Sequence, residues 1–181
     1  MIRVYAEPPG AYARVTAEPT GTRRALATFT ADAYDGGPMR PRITGAGDSS
    51  APTVIDIGSM RAYRNGRKMP ILYGHDQREP IGHTTRVDLG PDRITAEGVL
   101  SVPGRYRDMV VGASRSGYQW AVSIGVSVVA MEYLPAGKTA VVNGRRFAGP
   151  LNIGRRGELT EISFLTIGAN RTASARVVPT T

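Results

Sequence analysis

The chain has 181 residues, no cysteine, a formal net charge of +8, and is 41% hydrophobic and 21% charged. Without cysteine, disulfides and thiol chemistry are excluded. The length suits one domain with a real core, and no apolar run is long enough to span a bilayer. The start, Met1 to Glu7, lacks the apolar centre of a signal peptide. A soluble, intracellular protein is therefore expected. The positive charge is almost all arginine, with Lys68 and Lys138 the only lysines. The arginines are scattered, whereas a nucleic-acid binder concentrates them in a stripe with interleaved aromatics. Specific nucleic-acid recognition is not expected.

Residues 1–23 are rich in Pro, Ala, Glu and Gly without periodicity and read as a flexible N-terminal arm. The domain proper is expected over residues 24–181. A first strand is predicted from Arg24 to Thr30, followed by a long loop from Tyr34 to Pro52. Val54 to Ile57 and Lys68 to Tyr73 read as short strands, the second running into Gly74-His75. Ile81 to Leu89 and Arg93 to Leu100 form a predicted hairpin turning at Gly90-Pro91-Asp92. One helix follows Pro103-Gly104: Tyr106, Met109, Val110 and Ala113 fall on one face, and Gly117 ends it. The period then changes to two. Val122, Ile124, Val126 and Val128 point to one side and Ala121, Ser123, Gly125 and Ser127 to the other. The bulky set belongs in the core, which leaves Ser123 on a face of small residues. Pro135-Ala136-Gly137 marks a turn, and Asn143-Gly144 a tight hairpin. Leu159 to Ile167 is strand-like and apolar on both faces. Regular alternation there groups Glu161 with Leu159, Ser163 and Leu165, and an acid in that place needs a partner.

Three pieces in this order carry a resemblance. They are Leu72-Tyr73-Gly74-His75-Asp76 with Pro80-Ile81-Gly82 behind it, then Val122-Ser123-Ile124-Gly125-Val126 after a helix, then Leu159 to Asn170. Over residues 24 to 177 the chain resembles the prohead (procapsid maturation) protease family of tailed phages, distantly related to the herpesvirus assemblins. The resemblance implies a β-rich α+β fold, a mostly antiparallel closed or nearly closed barrel flanked by a few helices. It implies a serine endopeptidase without cofactor; a metal is not expected on separate grounds, because two histidines eight residues apart with dispersed acids do not form a recognised site. The peptidase's substrates would be the scaffold protein, the major capsid protein and in some cases itself. It would work in the host cytoplasm inside the immature procapsid, and self-association is compatible with the dimeric assemblins.

Carried over residue by residue, Ser123 matches the nucleophile and His75 the general base. Assemblins use a second histidine downstream of the serine, but no histidine follows His83 here. Glu161 matches the acid that the phage family uses instead. By analogy, the loop Gly168-Ala169-Asn170-Arg171 would supply the oxyanion donors. The chemistry is that of acyl transfer. A neutral imidazole accepts the serine proton, and an acid orients the ring and stabilises the imidazolium. Each residue also has a plainer role. His75 suits a structural or surface role, His83 in a predicted strand reads as a bystander, Ser127 and Ser163 are nominal rivals of Ser123, and Glu161 could pair with an arginine. Asp76 is the rival acid, but as a strand neighbour of His75 it would point to the opposite face unless the chain turns at Gly74. Two other functions compete: a non-catalytic factor binding capsid or scaffold with the same fold, and a small basic nucleic-acid-binding barrel.

Overall fold

The computed structural model describes residues 27–40, 50–62 and 68–179. The expected N-terminal arm, the start of the first predicted strand and residues 41–49 of the long loop lie outside the described residues. Eleven strands follow in chain order: β1 (Ala27–Tyr34), β2 (Thr53–Ile55), β3 (Arg61–Ala62), β4 (Pro70–Tyr73), β5 (Asp76–Leu89), β6 (Ile94–Val99), β7 (Trp120–Leu134), β8 (Thr139–Val142), β9 (Arg145–Ala148), β10 (Leu151–Leu165) and β11 (Ser174–Pro179). Helix α1 (Arg105–Arg115) lies between β6 and β7, and one turn of 3-10 helix (Ile57–Ser59) follows β2.

Seven strands close a barrel in the order β10, β4, β5, β6, β1, β11, β7, with β7 returning to β10. Closure removes the exposed sheet edges that invite aggregation. The barrel is mixed rather than antiparallel. Strand β10 pairs in parallel with β2, β3 and β4 along one side, and antiparallel with β7 along the other. Alternation along a strand fixes which side chains face inward but not the direction of the neighbour. The expected few helices are one α-helix among the described residues.

The interior follows the two-residue period. In β1, Ala27, Phe29, Ala31 and Ala33 are buried and Thr28, Thr30 and Asp32 exposed, until a register shift after Asp32 leaves Tyr34 buried as well. Val122, Ile124, Val126 and Val128 of β7 join the same core, with Phe29, Ile71, Ile81, Ile94 and Phe164. The expected division of β7 into a bulky inner face and a small outer one is therefore present. Strands β7 and β10, each 15 residues long, extend well past the lengths read from their apolar runs. Strand β11 was not anticipated at all.

Helix α1 is rotated from its expected face. Val110 and Val111 are buried, Tyr106 and Ala113 only pack against the core, and Met109 is 41% exposed. Two contacts fix this rotation. Trp120 donates its indole N–H to the Val110 carbonyl at 3.2 Å, and Tyr106 stacks on Tyr73 with ring centroids 4.3 Å apart. The helix ends at Gly117 as expected. Its φ of +84° lets Tyr118 N–H reach the Ala113 carbonyl and Gly117 N–H the Ser114 carbonyl, a Schellman closure.

Strands β8 and β9 form a separate hairpin turning at Asn143-Gly144, with φ of +52° and +72°. Positive φ at both central residues gives the primed turn that matches strand twist. The Asn143 side chain is buried against the end of the barrel. Its Oδ1 accepts from Ile57 N–H at 2.9 Å, and its Nδ2 donates to the carbonyls of Gly36 (3.0 Å) and Ile55 (2.8 Å).

Candidate active site

His75 owes its position to a reversal between β4 and β5. Tyr73 and Asp76 pair across it, leaving Gly74 and His75 as a two-residue turn with φ of +68° and +60°. Gly74 takes that conformation at no steric cost, whereas a histidine there is uncommon. Two contacts hold the turn against β10. Gly74 N–H donates to the Phe164 carbonyl at 3.1 Å, and His75 N–H donates to Ser163 Oγ at 3.1 Å. The imidazole is thus presented beside β10 by backbone geometry.

Glu161 reaches the same place through a β-bulge. Leu159 lies opposite Val126 and Glu161 opposite Gly125, so Thr160 is the extra residue. Its hydroxyl donates to the Gly125 carbonyl at 3.0 Å. A bulge re-aims the side chains after it. Leu159 therefore packs in the core with Ile162 and Phe164, while Glu161 and Ser163 face the small-residue side of β7. The expected grouping of Glu161 with Leu159 is overturned by this one residue.

The partner of Glu161 is His75, where an arginine was the competing expectation. His75 Nδ1 and Glu161 Oε1 are 2.7 Å apart, and Ser163 Oγ donates to Glu161 Oε2 at 2.8 Å. The carboxylate is about nine-tenths buried and the ring three-quarters buried. A carboxylate on Nδ1 fixes the tautomer that carries its proton there and a lone pair on Nε2. Asp76, the rival acid, is taken by Arg78. That guanidinium chelates both carboxylate oxygens at 2.9 and 3.0 Å and holds the Asp76 carboxyl down to about 2.

Gly125 completes the pocket for the acid. A Cβ there would lie 2.6 Å from Glu161 Cγ and 2.7 Å from Cδ. Gly125→Ala should therefore leave the strand intact, because the obstructed atoms end a flexible side chain. It should push Glu161 off His75. ¹⁵N NMR of the His75 ring alongside thermal melting checks this; an unchanged His75 signal in the folded variant would refute the role given to Gly125.

Ser123 sits on β7 directly across the ladder from Ser163. Directly opposed residues of an antiparallel pair have Cβ atoms roughly 5 Å apart, so Ser123 is one side chain away from the hydroxyl touching both His75 and Glu161. It is buried at 6% exposure, on the face with Gly125. Ser163 is fully buried, with its proton given to Glu161.

The loop Gly168-Ala169-Asn170-Arg171 passes beside the residue preceding Ser123. A Cβ on Gly168 would meet the Val122 carbonyl at 3.0 Å, and Val122 N–H donates to the Ala173 carbonyl at 3.4 Å. The Asn170 side chain is engaged elsewhere. Its Nδ2 donates to Asp35 Oδ1 at 2.6 Å, and its Oδ1 accepts from Thr172 N–H at 3.0 Å. Any oxyanion contribution from Asn170 thus falls to its backbone. Arg171 is exposed on the same loop.

No family model, curated protein or solved structure matches this chain. The site is therefore described by its own geometry. Among the described residues, no cluster of three or more His, Asp or Glu could hold a metal ion, and no helix is long and apolar enough to cross a membrane.

His83 lies apart from Glu161 on β5. Its Nε2 is 3.3 Å from Lys68 Nζ and its Nδ1 is 3.2 Å from Ser101 Oγ. Burial, reinforced by the Lys68 charge, holds its pKa below the ordinary histidine value. Neither of these two contacts involves His75, Ser123 or Glu161.

Sequence reasoning missed Asp35, which braces the loop after β10. Burial alone would raise its pKa. Hydrogen bonds from Gly37 N–H, Asn170 and Thr172, with the Arg145 charge, outweigh that and lower it. A carboxyl depressed in the folded state stabilises the fold above its unfolded value near 4, and that contribution is lost as pH falls through the folded value. Asp35→Asn should thus cost stability at pH 7 and show a shallower loss of stability below about pH 4. Urea midpoints at pH 7 and 3.5 check it; parallel losses in both proteins would exclude Asp35 from the acid limb.

Proposed function

We propose that the protein is a serine endopeptidase working by an acyl-enzyme mechanism. The observation that carries this is the 2.7 Å contact between His75 Nδ1 and Glu161 Oε1, formed on the face of β7 that bears Ser123. Glu161 holds the ring as the Nδ1–H tautomer, so that Nε2 has the lone pair, and stabilises the cation formed when that nitrogen takes the Ser123 proton. The freed oxygen adds to the scissile carbonyl, and the negative charge moves onto the carbonyl oxygen. Backbone N–H groups of the loop from Gly168 to Asn170 are the candidate donors to it, each worth ~3 kcal/mol in such a role. Collapse expels the amine, which takes the proton from His75. Water then repeats the sequence on the acyl-serine, and Ser123 is restored.

The substrates proposed are the scaffold and major capsid proteins of a phage procapsid. The resemblance carried by the segments around His75, Ser123 and Glu161 supports them. The workplace would be the interior of the immature shell. The test is co-expression with neighbouring capsid and scaffold proteins, wild type against Ser123→Ala, read by intact mass. Cleavage confined to the wild type supports the proposal and supplies the cleavage sites. Identical uncleaved masses, with both proteins folded and shells assembled, would replace it with a non-catalytic assembly role.

A further inference from the structure

Ser163 was counted at first as a competitor of Ser123, yet its contacts describe another task. The hydroxyl is fully buried and has one proton to give, and Glu161 Oε2 takes it at 2.8 Å. Ser163 Oγ in turn accepts the backbone N–H of His75 at 3.1 Å. One atom therefore ties the acid to the turn that bears the base. Glu161 is on a central strand, but His75 is on a two-residue turn. Their common tie offsets the freedom of a turn.

Resting on the peptidase proposal, we infer that Ser163 is a positioning residue. It locks the second oxygen of Glu161 so that the first stays on His75 Nδ1, and it fixes the His75 backbone against β10. Without the hydroxyl, the carboxylate rotates about its last torsion and the turn loses the side-chain acceptor on β10 for its His75 N–H. The imidazole then samples orientations in which Nε2 no longer aims along the small-residue face. Ser163 Oγ is bonded to the acid and to the backbone of the turn, which makes its role one of positioning. Its effect should fall on turnover and leave substrate binding almost untouched.

The chain has two histidines, so the ring nitrogens of each can be followed by ¹⁵N NMR, with His83→Gln assigning the signals. In the wild type, His75 is expected as a single Nδ1–H tautomer with a slowly exchanging proton. In Ser163→Ala that signature should broaden or average between tautomers while His83 is unchanged. With a peptide taken from the processing sites, kcat should fall about tenfold to a hundredfold and KM should change less than twofold. Ser163→Cys keeps a weak donor at similar size, so it should recover part of both the signal and kcat. An unaltered His75 signature in a folded Ser163→Ala protein would overturn the inference. If the signature is lost but the wild type cleaves nothing, the tie stands and the peptidase proposal is what fails.

Discussion

Ser123→Ala should lower peptide-bond cleavage by about 10⁶-fold, the scale on which removing the nucleophile of a serine peptidase removes everything but binding and oxyanion stabilisation. The change deletes a single oxygen from a position 6% exposed. Its neighbours across the ladder have their own partners: Ser163 is bonded to Glu161 and to His75 N–H. The barrel and the His75–Glu161 pair should therefore survive, with a melting temperature within a few degrees of wild type. Cleavage that persists in a folded Ser123→Ala protein would move the nucleophile elsewhere on the chain. His75→Ala should fall by a comparable factor, and the double variant should be hardly worse than either single one, because the residues act as a unit.

The largest stability effect is expected at Asn143, far from that chemistry. Asn143→Ala strands three buried backbone groups at once: Ile57 N–H and the carbonyls of Gly36 and Ile55. Each unsatisfied group costs ~1–3 kcal/mol, reduced where water can enter. Alanine also tolerates a φ of +52° worse than asparagine does. A total near ~4 kcal/mol is expected, a large share of the 5–15 kcal/mol that holds a typical domain together, on the order seen for natural proteins. Asn143→Gly separates the causes, since it relieves the backbone and still loses the hydrogen bonds. Asn143→Asp keeps the acceptor for Ile57 but turns an oxygen toward two carbonyls, so it should be about as damaging as alanine. Urea midpoints at constant m-value measure all three. A loss below about 1 kcal/mol for alanine would mean that the β8–β9 hairpin is not pinned through this side chain.

The elements that could be read from the sequence are those with local signatures. The alternation of β7, the glycine stop after α1 and the Asn143-Gly144 turn all depend on residues adjacent in the chain. The pairing of His75 with Glu161 is implied by the resemblance and has no local signature, and the structure brings the two into contact. Nothing in the alternating pattern marked Thr160 as an extra residue, because a bulge is defined only against the partner strand. For the same reason the role of Gly125 was hidden: a glycine in a strand looks merely permissive until a carboxylate occupies the space where its Cβ would be. The parallel neighbour of β10 was equally illegible. Asn143 was seen as a turn former, and its three long-range hydrogen bonds had no trace in sequence. The helix face was misjudged by one position, because Trp120 and Tyr73 set the rotation.

The parallel pairing of β4 with β10 also bears on when the protein can act. His75 and Glu161 are 86 residues apart in the chain, and β11 must still pair with β1 and β7 for the barrel to close. On the ribosome, a chain ending at β9 has its histidine and its serine but no acid, and no β10 for the β4–β5 turn to rest on. Such remote pairings form late and slowly. A chain with this topology brings His75 and Glu161 together only as the last long strand is laid in, so whatever that pair does cannot begin before β10 has been made.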